Sequence, residues 1–334
     1  MDSLTQLRLS RELIDIDSTT GKEGEAGAFL ERTLRAFNYH VERQPVADDR
    51  FNVIASLDPP DVVLSTHFDC VPPFFPSRVD GEILHGRGSC DAKGTLVAQI
   101  AACERLRASG ERRVGLLFVV GEERGSDGAK VANTRPLGSK FLINGEPTDN
   151  RLAEATRGIY RVRLVARGRA AHSSRPELGI SAIEKLVDAL LALRGIDWPQ
   201  DPILGRTFYT VGLVAGGVAP NVVPAQATAE VMFRTVSDHV ALRDLMERHL
   251  ADLVEIEDVL HVPPVKLTTL AGVESAVFSF TTDIPLLDRW GTPLLLGPGS
   301  VTLAHTDDEH VRIAELDRAV DLYVDLARTL LKSG

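Results

Sequence analysis

Two histidines and four acidic residues in this sequence form a set that could bind metal ions. Each lies at a junction beside a predicted strand, a turn or the start of a predicted helix: His67, Asp91, the pair Glu122-Glu123, Glu146 and His305. Imidazole and carboxylate groups together suit Zn²⁺, Co²⁺ or Mn²⁺. Two such ions about 3.5–4 Å apart need one carboxylate that bridges them, and they share an activated water molecule. The set therefore predicts a site for two divalent ions.

The adjacent Glu122 and Glu123 could have separate tasks. Because neighbouring residues point in different directions, one could bind a metal ion while the other stays free as a general base. A Glu-Glu pair is more often part of a solvated surface, and a single histidine more often has a structural role. The position of this pair, directly after the mostly apolar residues 114–120, favours the functional interpretation.

Strands that alternate with helices must position these residues. Short apolar runs bounded by turn residues predict strands at 52–57, 62–66, 114–120 and 140–143. Periodic apolar patterns predict helices at about 4–14, 23–37 and 94–109. This order predicts an α/β fold with a mostly parallel sheet, in which functional groups collect beyond the carboxyl ends of the strands.

Residues 156–267 follow a different pattern. Apolar and charged residues alternate near 160–167, which predicts a strand with one solvated face. A helix, two strands, a helix and a strand follow, which is the β-α-β-β-α-β order of a ferredoxin-like α+β domain. The α/β pattern returns with a strand at 293–296 and a helix at 314–331. We predict a metal-binding domain made of residues 1–155 and 268–334, interrupted by an inserted domain at 156–267.

Composition excludes several classes of protein. The chain has 334 residues, is 44% hydrophobic and carries a net charge of -10, which argues against a nucleic-acid-binding surface. No apolar run is long enough to cross a membrane, and the first residues do not resemble a signal peptide. Three cysteines without a CxxC spacing fit neither a disulfide framework nor a zinc ribbon. We therefore expect a cytoplasmic protein without nucleic-acid or membrane partners.

Five motifs, taken in order, resemble the M20 family of co-catalytic zinc amidohydrolases and peptidases. They are His67-x-Asp69, Gly86-Arg87-Gly88 through Asp91-x-Lys93-Gly94, Gly121-Glu122-Glu123, Glu146-Pro147-Thr148, and Ala304-His305-Thr306-x-x-Glu309. The resemblance covers nearly the whole chain, including the inserted domain. It implies a zinc-hydrolase catalytic domain with an inserted lid and dimerisation domain.

The resemblance also implies roles for individual residues. Two Zn²⁺ ions per subunit, replaceable by Co²⁺ or Mn²⁺, would be bound by His67 and Glu146, by Glu123 and His305, and by Asp91 between them. Asp69 would hydrogen-bond to His67 and fix its tautomer. Glu122 would take a proton from the shared water and deliver it to the leaving amine.

The inserted domain would supply further residues. The segment Gly168-Arg169-Ala170-Ala171-His172 resembles the lid motif, in which the histidine stabilises the oxyanion in the active site of the partner subunit. Asn221 and Arg234 match positions that contact a substrate carboxylate. We therefore predict a homodimer formed through residues 156–267.

The most specific function that the resemblance implies is removal of the acyl group from an N-acyl amino acid of the acetylornithine or acetyl-lysine type. A dipeptidase, an aminopeptidase or a succinyl-diaminopimelate desuccinylase is an alternative within the family. A non-catalytic metal-binding or ligand-binding protein on the same scaffold is the alternative from another class. The segment at residues 72–81 is shorter than is usual in the family, which leaves the substrate preference open.

Overall fold

The computed structural model describes residues 1–333 and contains seven α-helices within them. In chain order they are α1 (Ser3–Ile14), α2 (Gly24–Ala36), α3 (Lys93–Ala108), α4 (Asp127–Ala132), α5 (Ala182–Gly195), α6 (His239–Leu250) and α7 (Ile313–Ser333). Short 3₁₀ turns lie at Glu122–Arg124, Pro176–Leu178 and Ile284–Leu286. None of the helices in this part of the chain has the length and apolar character needed to span a membrane.

The same residues form eighteen β-strands. They are β1 (His40–Ala47), β2 (Arg50–Ser56), β3 (Val62–His67), β4 (Arg78–Asp80), β5 (Ile83–His85), β6 (Val114–Val119), β7 (Phe141–Asn144), β8 (Leu152–Thr156), β9 (Gly158–Arg167), β10 (Gln200–Asp201), β11 (Gly205–Arg206), β12 (Phe208–Gly216), β13 (Gln226–Thr235), β14 (Glu255–Val262), β15 (Val265–Lys266), β16 (Ser275–Phe278), β17 (Thr292–Leu295) and β18 (His310–Arg312).

These elements divide into two units. Unit 1 comprises Met1–Glu154, Leu267–Ala276 and the chain from Thr282 onward, and unit 2 comprises Ala155–Lys266 and Val277–Thr281. Unit 1 contains a six-stranded sheet in the order β1-β2-β6-β3-β7-β17. The pairs β3–β6, β3–β7 and β7–β17 are parallel, whereas β1–β2 and β2–β6 are antiparallel. The predicted α/β fold with a mostly parallel sheet is confirmed.

Both faces of this sheet are covered, because successive side chains of a strand point to opposite faces. In β3, Val62 and Leu64 join the core cluster that includes residues of α1, α2, α3 and α7. Val63 joins the opposite cluster, in which Trp290 is fully buried. This explains why the strands are continuously apolar instead of alternating.

Unit 2 has the predicted β-α-β-β-α-β order in β9, α5, β12, β13, α6 and β14. Its antiparallel sheet runs β12-β13-β9-β14. In β13, the buried residues Ala227, Ala229, Val231 and Phe233 alternate with more exposed ones. They pack with α5 and α6 in a separate core cluster. One face of this sheet is therefore covered by the two helices.

Candidate metal centre

The carboxyl ends of three neighbouring strands bring together the residues predicted to bind metal. Strand β3 ends at His67, β7 ends two residues before Glu146, and β6 ends just before the turn that contains Glu122 and Glu123. Because these strands are parallel, their carboxyl ends meet at one edge of the sheet. The chain after β17 adds His305, whose φ of 65° lies in the left-handed region. Such strained backbone is common at functional sites.

The two carboxylate oxygens of Asp91 face two different histidines. His67 Nε2 lies 3.0 Å from Asp91 Oδ1 and 3.7 Å from Glu146 Oε2. His305 Nε2 lies 3.2 Å from Asp91 Oδ2 and 2.9 Å from Glu123 Oε1. The five predicted ligands thus form two groups of three that share Asp91.

These groups fit divalent cations. In each group, one ligand atom of every residue lies within 4.8 Å of one from each other residue. The Oε1 atom of Glu146 is buried and has no hydrogen-bond partner within residues 1–333. A buried carboxylate oxygen without a partner is costly unless a cation binds it. Two imidazoles with three carboxylates are a donor set that suits Zn²⁺, Co²⁺ or Mn²⁺.

Burial and neighbouring charges set the pKa values in this cluster. Burial alone would lower the pKa of His67, but the charge of Glu146 and hydrogen bonds to carboxylates hold it well above its usual value. Hydrogen bonds, first of all with Asp91, raise the pKa of His305 to about 10. Burial raises the pKa of Glu146 to about 7. The cluster therefore attracts positive charge, which a metal ion would supply in place of protons.

Asp69 positions both His67 and the turn that follows β6. The Nδ1 atom of His67 lies 3.0 Å from the backbone carbonyl oxygen of Asp69 and 3.5 Å from its Oδ1. The carboxylate of Asp69 accepts hydrogen bonds from the backbone N–H groups of Glu122, at 3.0 Å, and Glu123, at 3.3 Å. The backbone carbonyl of Asp69 is thus nearer to the ring than the carboxylate. A proton on Nδ1 leaves Nε2 as the atom that faces Asp91.

Glu122 has the surroundings expected of a base. Its carboxylate forms no hydrogen bond or ion pair within residues 1–333, and burial raises its pKa well above the usual value. Gly121, with a φ of 78°, precedes the turn, and a Cβ atom there would lie 2.6 Å from a nitrogen of Arg50. The left-handed φ therefore favours a glycine where the chain leaves the strand.

No separate role for Glu309 follows from the sequence, although it belongs to one of the motifs. Its Oε1 accepts hydrogen bonds from the backbone N–H groups of Gly88, Cys90 and Asp91 at 3.0–3.1 Å. Arg87 Nη1 donates to its Oε2 at 2.6 Å. Glu309 therefore fixes the backbone of the loop that presents Asp91. Its position three residues after Thr306 in the motif is the only signal in the sequence.

Asp283 was not predicted by any motif. Burial raises its pKa to about 6, and its Oδ1 has no hydrogen-bond partner among the described residues. Its negative charge also raises the pKa values of Glu122 and Glu146. It lies in a loop without a distinctive spacing, so nothing in the sequence separates it from a surface aspartate.

The three predicted residues of the inserted segment lie in unit 2. His172 is exposed, and its Nδ1 accepts a hydrogen bond from the backbone N–H of Ser174 at 3.2 Å. In the neutral ring Nε2 then carries the hydrogen and can donate it. The backbone N–H of Ser173 donates to the Asn221 carbonyl, so the segments that carry His172 and Asn221 are adjacent.

Arg234 occupies the end of β13 and is half-buried. Within residues 1–333 its guanidinium has no hydrogen-bond or ion-pair partner, and burial lowers its pKa. A desolvated guanidinium without a partner is available for an anionic ligand.

Comparison with known proteins gives the family. Residues 63–329 match the model of peptidase family M20/M25/M40. The chain belongs to this family. A peptidase M20 domain-containing protein of Schizosaccharomyces pombe is 37% identical over 330 residues, which cover 95% of this chain and 82% of that protein. A probable carboxypeptidase of Aspergillus terreus is 38% identical over 365 residues, covering 95% and 84%.

The fold comparison agrees with this assignment. A tripeptidase from Staphylococcus aureus superimposes with a TM-score of 0.83 at 21% identity, over 98% of this chain and 99% of that one. As a member of the M20 family, this chain is a metal-dependent hydrolase that acts on C–N bonds of peptides.

Proposed function

We propose that this M20 enzyme hydrolyses the amide bond between an acyl group and an amino acid that carries a free carboxylate. Hydrolysis of an N-acyl amino acid and hydrolysis of the last peptide bond of a peptide both release an amino acid with a free carboxylate. Deacylation and carboxypeptidase activity are therefore the same reaction. The division of the two oxygens of Asp91 between His67 and His305 supports the reaction most strongly. It provides one bridging ligand between two otherwise separate groups.

The proposed metal content is two Zn²⁺ ions per chain, with Co²⁺ or Mn²⁺ as possible replacements. His67 and Glu146 would bind one ion, Glu123 and His305 the other, and Asp91 both. Bound metal ions supply Lewis-acid activation of a water molecule and of the scissile carbonyl. Asp69 keeps the His67 ring oriented through its carbonyl and orders the turn behind Glu123.

Glu122 is the proposed general base and acid. Its carboxylate is free of partners, while its backbone is held by Asp69. Its raised pKa lets it accept a proton from the attacking water and release that proton to the leaving amine nitrogen. The amide C–N bond breaks, and the products are a carboxylic acid and an amino acid.

Arg234 is the proposed receptor for the free carboxylate of the substrate, together with Asn221. A guanidinium can bind a carboxylate with two parallel hydrogen bonds, and no acceptor within the described residues competes for it. The similarity to probable carboxypeptidases supports recognition of a C-terminal carboxylate. Acetylornithine and acetyl-lysine types remain the proposed N-acyl substrates.

We also propose a homodimer formed through unit 2. Ile183, Val187 and Leu191 form an exposed apolar stripe on α5, at four-residue spacing. Strand β12 is an edge of its sheet and exposes Leu213 and Val214. An exposed edge next to apolar side chains favours pairing with a second copy. In such a dimer, the Nε2–H of His172 is the proposed donor to the oxyanion.

The three cysteines support a cytoplasmic location, which is also a proposal. Cys70, Cys90 and Cys103 are buried and free. Free thiols are expected in a reducing compartment.

A panel of related substrates tests the proposal. It contains N-acetylornithine, N-acetyl-lysine, N-succinyl-diaminopimelate, a dipeptide, its N-acetylated form and that form with a C-terminal amide. We expect cleavage to tolerate the blocked amine and to be lost with the amide, because the amide removes the carboxylate. Cleavage that requires a free N-terminal amine and tolerates the C-terminal amide would contradict the proposed specificity. It would indicate an aminopeptidase instead.

Two variants locate the carboxylate receptor. Arg234→Met should raise KM strongly for carboxylate substrates. Arg163→Met is the control, since Arg163 lies on the same sheet but is paired with Glu230. Equal KM values in both variants would exclude Arg234 from this role.

A further inference from the structure

A third group of metal-binding side chains lies on the three-stranded sheet β18-β5-β4 of unit 1. His310 of β18 and His85 of β5 are direct partners across an antiparallel pair of strands. Their ring centroids are 5.2 Å apart. Asp308 comes just before β18, so the backbone itself brings two imidazoles and a carboxylate together.

The distances and burial indicate a partly formed site. Asp308 Oδ1 lies 3.3 Å from His85 Nδ1. His310 Nδ1 lies 3.7 Å from Asp308 Oδ2 and 2.6 Å from the backbone carbonyl oxygen of Asp308, to which it donates, so this ring would bind an ion through Nε2. One ligand atom of each residue lies within 4.8 Å of one from each of the others. The side chains of His85 and His310 are only 16% and 21% exposed, whereas that of Asp308 is 79% exposed. The rings are therefore held by the fold, and the carboxylate leaves an entry for an ion.

We propose that His85, His310 and Asp308 bind a divalent transition-metal ion, with water in the remaining position. Two imidazoles favour Zn²⁺, Co²⁺, Ni²⁺ or Cu²⁺ over Mg²⁺ and Ca²⁺, which prefer oxygen ligands. Three protein ligands plus one open position match tetrahedral zinc coordination. Rings fixed on paired strands lose little freedom when an ion binds, which favours affinity.

Surrounding charges permit a cation at this position. Arg78 lies opposite His85 on β4, but its guanidinium is paired with Asp80 at 3.0 Å. The carboxylate of Asp308 offsets the positive charge of a bound ion. None of the three residues belongs to the groups around Asp91.

The site would also act on the loop that holds Asp91. Glu309 lies between Asp308 and His310, and its backbone carbonyl accepts a hydrogen bond from the N–H of Gly86. An ion that joins His85 to His310 therefore ties together the two strands that flank this contact. We expect this ion to stabilise unit 1 and not to take part in the reaction.

Zn²⁺ binding at chelator-buffered free concentrations, measured by equilibrium dialysis, tests the proposal. The full chain should bind one more equivalent than the variant His85→Asn/His310→Asn. The control is His40→Asn, which changes an exposed histidine of β1 outside these groups and should bind as the unchanged chain does. Equal stoichiometry in the full chain and the double variant would overturn the proposal.

A second variant covers the case in which the double variant does not fold. Asp308→Asn alters an exposed side chain and should weaken binding of the last equivalent by about tenfold or more. Excess Zn²⁺ should raise the unfolding temperature of the unchanged chain more than that of Asp308→Asn. Identical isotherms and identical temperature shifts would exclude the site. The measurements need no activity, so they are independent of the proposed reaction.

Discussion

Residues of the same type differ in their contacts at the candidate metal centre, and these contacts decide the role that we propose for each. Glu122 and Glu123 are neighbours in the sequence, yet their carboxylates have different partners. Glu123 Oε1 lies 2.9 Å from His305 Nε2, whereas the carboxylate of Glu122 has no hydrogen-bond or ion-pair partner in residues 1–333. The sequence predicts that the two adjacent carboxylates point in different directions. It contains no signal that the backbone N–H groups of both residues donate to the carboxylate of Asp69.

The general base gives the first prediction. Glu122→Gln keeps the shape of the side chain but removes its ability to accept a proton, so kcat should fall by about 10²–10⁴-fold. Metal content should stay unchanged, because Glu122 is not one of the proposed ligands. Elemental analysis and initial rates measure both quantities. Glu25→Gln, at an exposed position on α2, is the control. Full activity in Glu122→Gln would exclude its role.

At the scale of elements, apolar strands were predicted well, including the four-residue edge strand β17, whereas elements without an apolar pattern were not. The predicted strand at 62–66 corresponds to β3 and the predicted helix at 94–109 to α3. Strand β1 was missed because it is an edge strand that contains Pro45, Glu42 and Arg43, and so lacks an apolar run. Helix α4 has six residues, too few to show a helical period.

Glu309 and Asp283 were missed for a related reason. Glu309 acts by accepting hydrogen bonds from backbone N–H groups 218–221 residues away. Such a contact has no local spacing that a sequence could show. Asp283 could not be found from the sequence either, since only its burial distinguishes it from a surface aspartate.

The second prediction concerns the link between the start of β18 and the loop that presents Asp91. Glu309→Gln removes a charge that pairs with Arg87 where both side chains are almost fully buried. Because the buried guanidinium is then left without its partner charge, the free energy of unfolding should fall by about 3–5 kcal/mol. Urea denaturation of the metal-free chain measures this change.

The control for that measurement is an exposed ion pair. Glu177 and Arg175 are 57% and 68% exposed, so Glu177→Gln should lower the free energy of unfolding far less than Glu309→Gln does. An equal, small effect of both substitutions would show that Glu309 does not support the loop.

At the scale of the whole molecule, the third prediction concerns assembly. The unchanged chain should sediment as a dimer of its 36.3 kDa subunit. Leu191→Glu combined with Leu213→Lys places charges on the stripe of α5 and on the edge strand β12, so the protein should become monomeric. Leu4→Glu alters a residue of α1 that is 80% exposed, and it should leave the dimer intact. A monomeric unchanged chain would contradict the proposed assembly.

Anomalous diffraction from crystals of the Zn²⁺-loaded protein tests the central proposal, a pair of ions that share Asp91, most directly. We predict two strong peaks at this centre, one bounded by His67 and Glu146 and the other by Glu123 and His305, with Asp91 contacting both. A weaker peak beside His85 and His310 would belong to the additional site. A single peak at the centre, or two peaks that Asp91 does not join, would contradict the account.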